Sequence, residues 1–153
     1  MKINIYTDGA ARGNPGPGGY GIVLESGSHR KELSKGFRHT TNNRMELLAV
    51  IDALRALKTK NAEVFIYSDS KYVVDTINKG WIFGWEKKGY KGKKNPDLWK
   101  QFIQLHRRFK PKYIWIKGHN NHPQNERCDE LAVAASFQQE LEKDVFFEKQ
   151  EAD

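Results

Sequence analysis

The sequence predicts an α/β fold, a mixed sheet covered by helices, and two observations carry that prediction. Up to Arg38 the chain holds three strand-like segments separated by short turns, which reads as an antiparallel meander. From Asn43 onward, helical and strand periods alternate, which implies parallel pairing with helical crossovers. A chain of 153 residues with 38% hydrophobic content has room for one core and would be crowded as two domains.

The elements follow in order. Ile3, Ile5 and Thr7 alternate with Asn4, Tyr6 and Asp8, a strand whose last residue is a carboxylate. Gly13-Asn14-Pro15-Gly16-Pro17-Gly18-Gly19 reads as a turn, followed by strands at Tyr20–Glu25 and Lys31–Arg38. Leu47, Val50, Ile51, Leu54 and Leu57 recur at helical spacing between Asn43 and Leu57. Val64-Phe65-Ile66-Tyr67 is an apolar run ending at Ser68-Asp69, as expected of a buried central strand. Val73, Val74 and Ile77 mark a short helix, Trp81 and Trp85 stand at i,i+4 spacing, and a further helix covers Pro96–Arg108. A strand at Tyr113–Ile116 and a helix from about Asn125, with Pro123 just before it, complete the pattern.

Charge and cysteine usage narrow the function class. The net charge of +7 and a pI near 9.4 suit a polyanionic partner or simply a solvated surface, and distribution decides between them. Residues 138–153 are acidic: Glu140, Glu142, Asp144, Glu148, Glu151 and Asp153 stand against Lys143 and Lys149, so the body is more basic than the total. That charge favours a disordered C-terminal tail over docking of Val145-Phe146-Phe147, and the tail is assigned no function. The densest basic stretch, Lys87-Lys88-Gly89-Tyr90-Lys91-Gly92-Lys93-Lys94, lies between Trp85 and Trp99, and lysines interleaved with aromatics suit a phosphate backbone. Cys128 alone cannot form an internal disulfide and its spacing fits no zinc cluster, so it is expected as a half-buried helix residue in a reducing compartment. No apolar run spans a bilayer and the opening MKINIYTDGA reads as a strand, so the expectation is a cytoplasmic, monomeric protein with no membrane partner.

Asp8 and Asp69 both end strands, the place where sites gather in parallel sheets, while Glu46 and Asp129 fall in early turns of helices. Each has a bland alternative: a turn residue, a solvated helix face, a helix cap, or a partner for Arg127 or Lys117. Together they suggest a shared metal site. Carboxylates packed without countercharge raise one another's pKa, so such a set calls for a divalent cation, and hard oxygen ligands suit Mg²⁺ or Mn²⁺. Two ions about 3.5–4 Å apart would serve phosphodiester hydrolysis, one for the attacking water and one for the leaving oxygen.

At this point the motifs become recognisable. Tyr6-Thr7-Asp8-Gly9, the Gly13–Gly19 segment, Thr40-Thr41-Asn42-Asn43-Arg44-Met45-Glu46-Leu47, Ser68-Asp69-Ser70, Lys117-Gly118-His119 and Asn125-Glu126-Arg127-Cys128-Asp129-Glu130-Leu131-Ala132 closely resemble bacterial ribonuclease HI, the type 1 ribonuclease H family. The resemblance runs collinearly from residue 3 to about 135. It implies a ribonuclease H-like fold with a five-stranded sheet flanked by helices, a catalytic domain over residues 1–137, and an endonuclease that cuts RNA in RNA–DNA hybrids to leave 5′-phosphate and 3′-hydroxyl ends.

It also implies roles. Asp8, Glu46, Asp69 and Asp129 would be metal ligands, and His119 would assist proton transfer or product release, as an imidazole can near neutral pH. Asn14, Asn42 and Asn43 match positions that approach the minor groove of the hybrid, and Thr41 and Arg44 positions beside a phosphate; the bland alternative for Thr41 or Asn42 is a helix cap. Trp81, Trp85, Lys87, Lys88 and Lys91 match a basic protrusion that grips the DNA strand, with simple packing as the alternative for Trp85. Lys71 replaces the family's glutamine, Asn120-Asn121 follows His119 where a small residue and glycine are usual, and the protrusion is short. A hybrid-binding module without cleavage is the other reading, and the intact carboxylate set argues against it, since a binder gains nothing from negative charge beside phosphates.

Overall fold

The computed structural model describes residues 1–118, 120 and 122–152. Strands β1 (Lys2–Ala11), β2 (Gly16–Ser26) and β3 (His29–Thr40) form the meander; α1 (Asn42–Arg55), β4 (Glu63–Ser68), α2 (Lys71–Asn78), α3 (Trp81–Lys87), α4 (Pro96–Phe109), β5 (Lys112–Trp115), α5 (Pro123–Ser136) and α6 (Val145–Ala152) follow. The sheet order is β3-β2-β1-β4-β5. The meander pairs are antiparallel, whereas β4 runs parallel to both β1 and β5. Among the described residues no helix is long and apolar enough to cross a membrane.

The main core lies between the sheet and α1 with α4. Ile5, Ile22 and Ile66 from the strands meet Leu47, Ile51 and Leu54 of α1 and Trp99, Phe102 and Ile103 of α4, all essentially inaccessible to water. The other face carries a smaller cluster, Tyr6, Val23 and Cys128, beneath α5. Cys128 is fully buried there, not half-buried as expected, and its thiol donates to the Tyr6 carbonyl at 3.2 Å.

Two sequence expectations change for the same reason, which is packing at long range. Gly16 to Gly19 reads as turn but is the start of β2, the turn itself being confined to residues 12–15. Glycines persist into the strands because α5 lies directly on the sheet backbone: a Cβ at Gly21 would collide with the Cys128 carbonyl oxygen, and one at Gly36 with that of Ala135.

The tail differs too. Glu142 pairs with the free edge of β3, accepting from the Arg38 N–H and donating to the Gly36 carbonyl, each at 2.9 Å. Asp144 is then buried, and α6 is fastened by the Arg38–Glu148 ion pair at 2.6 Å and by contact of Glu151 with His39. Charge alone argues for a frayed end; here the acidic residues meet fixed cations on β3 and α1.

Candidate active site

The first two carboxylates are brought together by strand register. β1 and β4 pair in parallel up to Thr7 opposite Ser68, so Asp8 and Asp69 follow side by side. β1 itself continues to Ala11, because its other edge stays paired with β2, where Asp8 stands opposite Gly21. Asp8 therefore lies one residue beyond the parallel pairing but inside β1, not at its end. Helix α1 supplies the third group: the Thr41 hydroxyl caps it by accepting from the Arg44 N–H at 3.2 Å, and Glu46 follows in the second turn. Gly9 permits the approach, since a Cβ there would sit 2.5 Å from the Met45 carbonyl carbon and 2.7 Å from the Glu46 nitrogen. Oxygens of Asp8, Glu46 and Asp69 lie within 4.8 Å of one another. Asp129, on α5, joins these three in lining a cavity of about 430 Å³. The sequence missed the contribution of Gly118, where a Cβ would stand 2.6 Å from Asp69 Oδ2.

The electrostatics are those of uncompensated like charge. Burial first, then the charges of Asp69 and Asp129, push the Asp8 carboxyl up from 3.8 to about 7, against opposing hydrogen bonds with the Glu46 side chain and from the Gly9 N–H, the latter at 2.9 Å. Glu46 is raised well above the ordinary carboxylate range, again by burial first and then by Asp8 and Asp69. Its Oε1 is buried with no hydrogen-bond partner. A buried acceptor without a donor is costly unless something fills the role, and an all-oxygen set of negative ligands fits a hard divalent cation.

The remaining expected residues divide. Asn42 Oδ1 accepts from the Ala11 N–H at 2.5 Å, and the Asn42 N–H donates to Asn14 Oδ1 at 3.0 Å, so both carbonyl oxygens tie the turn to α1. Asn43 and Lys71 line the carboxylate cavity, the Lys71 ammonium resting 4.8 Å from the Trp115 ring centroid. Trp81 is 48% exposed, whereas Trp85 is half-buried and packs edge-on against Trp99 at 5.9 Å. Lys87, Lys88 and Lys91 are exposed and, among the described residues, outside any ion pair. His119 lies outside the described residues. His122, on the same loop, caps α5 by accepting from the Asn125 N–H at 3.2 Å.

Arg44 is the correction. Expected beside a phosphate, it is only 2% exposed, and its Nε and both terminal nitrogens point inward. They donate to Asp144 at 2.7 and 2.9 Å, to Asp97 at 2.9 and 2.7 Å and to Asn95 at 3.2 Å. A planar guanidinium matches two carboxylates at once, and a buried cation is tolerated only when so paired. Nothing local in the sequence marks Asp97 or Asp144 as its partners.

The RNase H family model matches residues 1–137. A ribonuclease H of Desulforamulus reducens is 54% identical over 149 residues, covering 94% of this chain and 93% of that protein. One of Rippkaea orientalis is 51% identical over 152 residues, with coverage of 96% and 93%. Among solved structures, LC9-RNase H1, a type 1 RNase H with the type 2 active-site motif, superposes with a TM-score of 0.78 at 32% identity, over 88% of this chain and 71% of that one. LC11-RNase H1 in complex with RNA/DNA hybrid gives 0.65 at 32% identity, over 88% and 96%.

Proposed function

The chain belongs to the ribonuclease H family, and from that premise we propose that it is an endonuclease hydrolysing the RNA strand of RNA–DNA hybrids, with 5′-phosphate and 3′-hydroxyl products. The observation that carries the reading is the cluster of Asp8, Glu46 and Asp69 with its unpartnered buried oxygen, beside Asp129. These four residues would hold divalent metal, Mg²⁺ before Mn²⁺, as two ions in the substrate complex. When bound, such ions supply a more acidic water and charge stabilisation at the leaving oxygen.

The chain's own residues do the rest. Strand register and helix packing fix the carboxylates before substrate arrives, so little reorganisation is required of them. Burial and mutual repulsion favour the protonated forms of Asp8 and Glu46, so binding of a divalent cation by these carboxylates would be favoured by higher pH. Asn14, Asn42 and Asn43 keep amide N–H donors for 2′-hydroxyls and base edges in the minor groove. Thr41 remains beside a phosphate while serving as the cap, and Lys71 replaces an amide contact by a charge. Trp81 with Lys87, Lys88 and Lys91 offers the DNA strand an exposed ring and cations, Trp85 supporting them from beneath. His119 would assist proton transfer or product release. A cytoplasmic monomer is the working form, in keeping with one buried free thiol.

The test is cleavage of an end-labelled hybrid alongside single-stranded RNA, double-stranded RNA and double-stranded DNA, with Mg²⁺ and with EDTA, for wild type and Asp8→Asn. Hybrid-only, metal-dependent cutting of the RNA strand, lost in Asp8→Asn, is the expected result. Cutting of a DNA duplex, or tight hybrid binding without cleavage, would overturn it.

A further inference from the structure

A second cavity, of about 490 Å³, adjoins the carboxylate site, and Asn43 lines both. Part of its wall is the expected substrate surface, Asn14 and Thr41, with Lys94 and Asn95 beside them. The rest comes from α6, through Phe147, Gln150 and Glu151. This helix lies beyond residue 137, where the family match ends. It is held in place by the buried Asp144, which accepts from Arg44 and from the Thr40 hydroxyl at 2.7 Å, and by the Arg38–Glu148 pair. Glu148 points to Arg38 and does not line the cavity; among the described residues Glu151 is the only carboxylate that does, and its side chain is 43% exposed.

We propose that α6 forms part of the substrate-binding surface and that Gln150 and Glu151 are affinity-determining residues for a hybrid that covers the carboxylates and, past Asn43, the second cavity. The inference rests on the hybrid-nuclease reading. Gln150 offers an amide that both donates and accepts, suited to sugar and phosphate oxygens. Glu151 repels phosphate. Like charges about 6 Å apart in water disfavour each other by a factor of about three unscreened and about two at the screening length of about 10 Å in 0.1 M salt, and the factor nearly vanishes at about 3 Å in 1 M. The same chain thus attracts substrate with its lysines and moderates that attraction at one point, which assists release of a polyanionic product.

The experiment is steady-state cleavage of a labelled hybrid by wild type, Glu151→Gln, Glu148→Gln, His39→Gln and Gln150→Ala, at about 0.1 M and about 1 M salt. Glu151→Gln is expected to lower KM about twofold at low salt and scarcely at all at high salt. Glu148→Gln makes the same change in net charge outside the cavity and should shift KM less. His39→Gln replaces the imidazole beside Glu151 by a neutral amide but keeps the carboxylate, and should not lower KM; Gln150→Ala should raise it. Equal shifts in Glu151→Gln and Glu148→Gln, an unchanged KM in Glu151→Gln, or a His39→Gln variant that reproduces Glu151→Gln would overturn the inference. Failure of wild type to cut the hybrid would instead overturn the reading beneath it.

Discussion

Arg44 and Glu46 stand two residues apart at the start of α1, both buried and both bearing an ionisable side chain, yet their surroundings are opposite. Arg44 is met by two carboxylates and an amide; Glu46 is met by two further carboxylates and keeps an oxygen with no donor. The satisfied charge fastens α1 to α4 and to the tail. The unsatisfied one is held ready for a cation. Within a single helical turn, the difference separates what the fold uses for its own stability from what it reserves for chemistry.

The comparison can be broken from either side. Asp8→Asn removes a charged ligand, so cleavage should fall by about 10³-fold or more, while the metal-free protein unfolds at the same or a higher temperature because repulsion is relieved. Wild-type turnover in that variant would sink the assignment. Asp144→Ala acts on the satisfied side: removing one partner of a buried pair costs about 3–5 kcal/mol, measured by urea unfolding, whereas cleavage per folded molecule should persist. A loss of activity without loss of stability would reverse the roles given to the two clusters.

The pH dependence sharpens the contrast. The Asp8 carboxyl titrates near 7 in the folded chain and near 3.8 when free of it, so between those values the folded state holds a proton that the unfolded state has lost. Metal-free stability should therefore fall as pH rises from about 4 to about 7, by up to about 1.4 kcal/mol per unit for one such proton, and thermal melts in EDTA at a series of pH values would read it. Asp8→Asn should flatten the slope, and a wild-type slope of the opposite sign would contradict the description of the cluster. The smallest effect belongs to the exposed lysines. Replacing Lys87, Lys88, Lys91, Lys93 and Lys94 by alanine should lower the salt dependence of hybrid binding by about 0.9 in log–log slope for each phosphate no longer neutralised. An unchanged slope would leave that run as merely solvated.

What the sequence reveals and what it hides differ in the range of the interactions involved. Alternation along Lys2–Asp8 and the apolar run before Asp69 locate both residues, whereas the parallel adjacency of their strands, β1 and β4, comes only from the sheet. The helix carrying Glu46 is visible from its period and from Thr41. Arg44 is misjudged because its partners lie 53 and 100 residues away and reveal themselves only in three dimensions. The tail is misjudged because a count of its charges cannot show that Arg38, His39 and Arg44 lie within reach. Gly16 to Gly19 is misjudged because glycine marks a turn and a close backbone approach alike: Gly16 is crowded by the Arg12 carbonyl, Gly18 by Ala10 and Thr40, and Gly19 by Ala132 of α5.

Gly21 stands opposite Asp8 in the sheet, and its missing side chain is where the Cys128 carbonyl comes to rest, one residue before Asp129. The width of the site between Asp8 and Asp129 is thus set by a residue with no functional group at all. A single methyl group at Gly21 would act as a shim under α5, prising the helix off the sheet near Cys128 and carrying Asp129 with it. Along this helix the tolerance of the active site is a tolerance of thickness, and the backbone of β2 is its gauge.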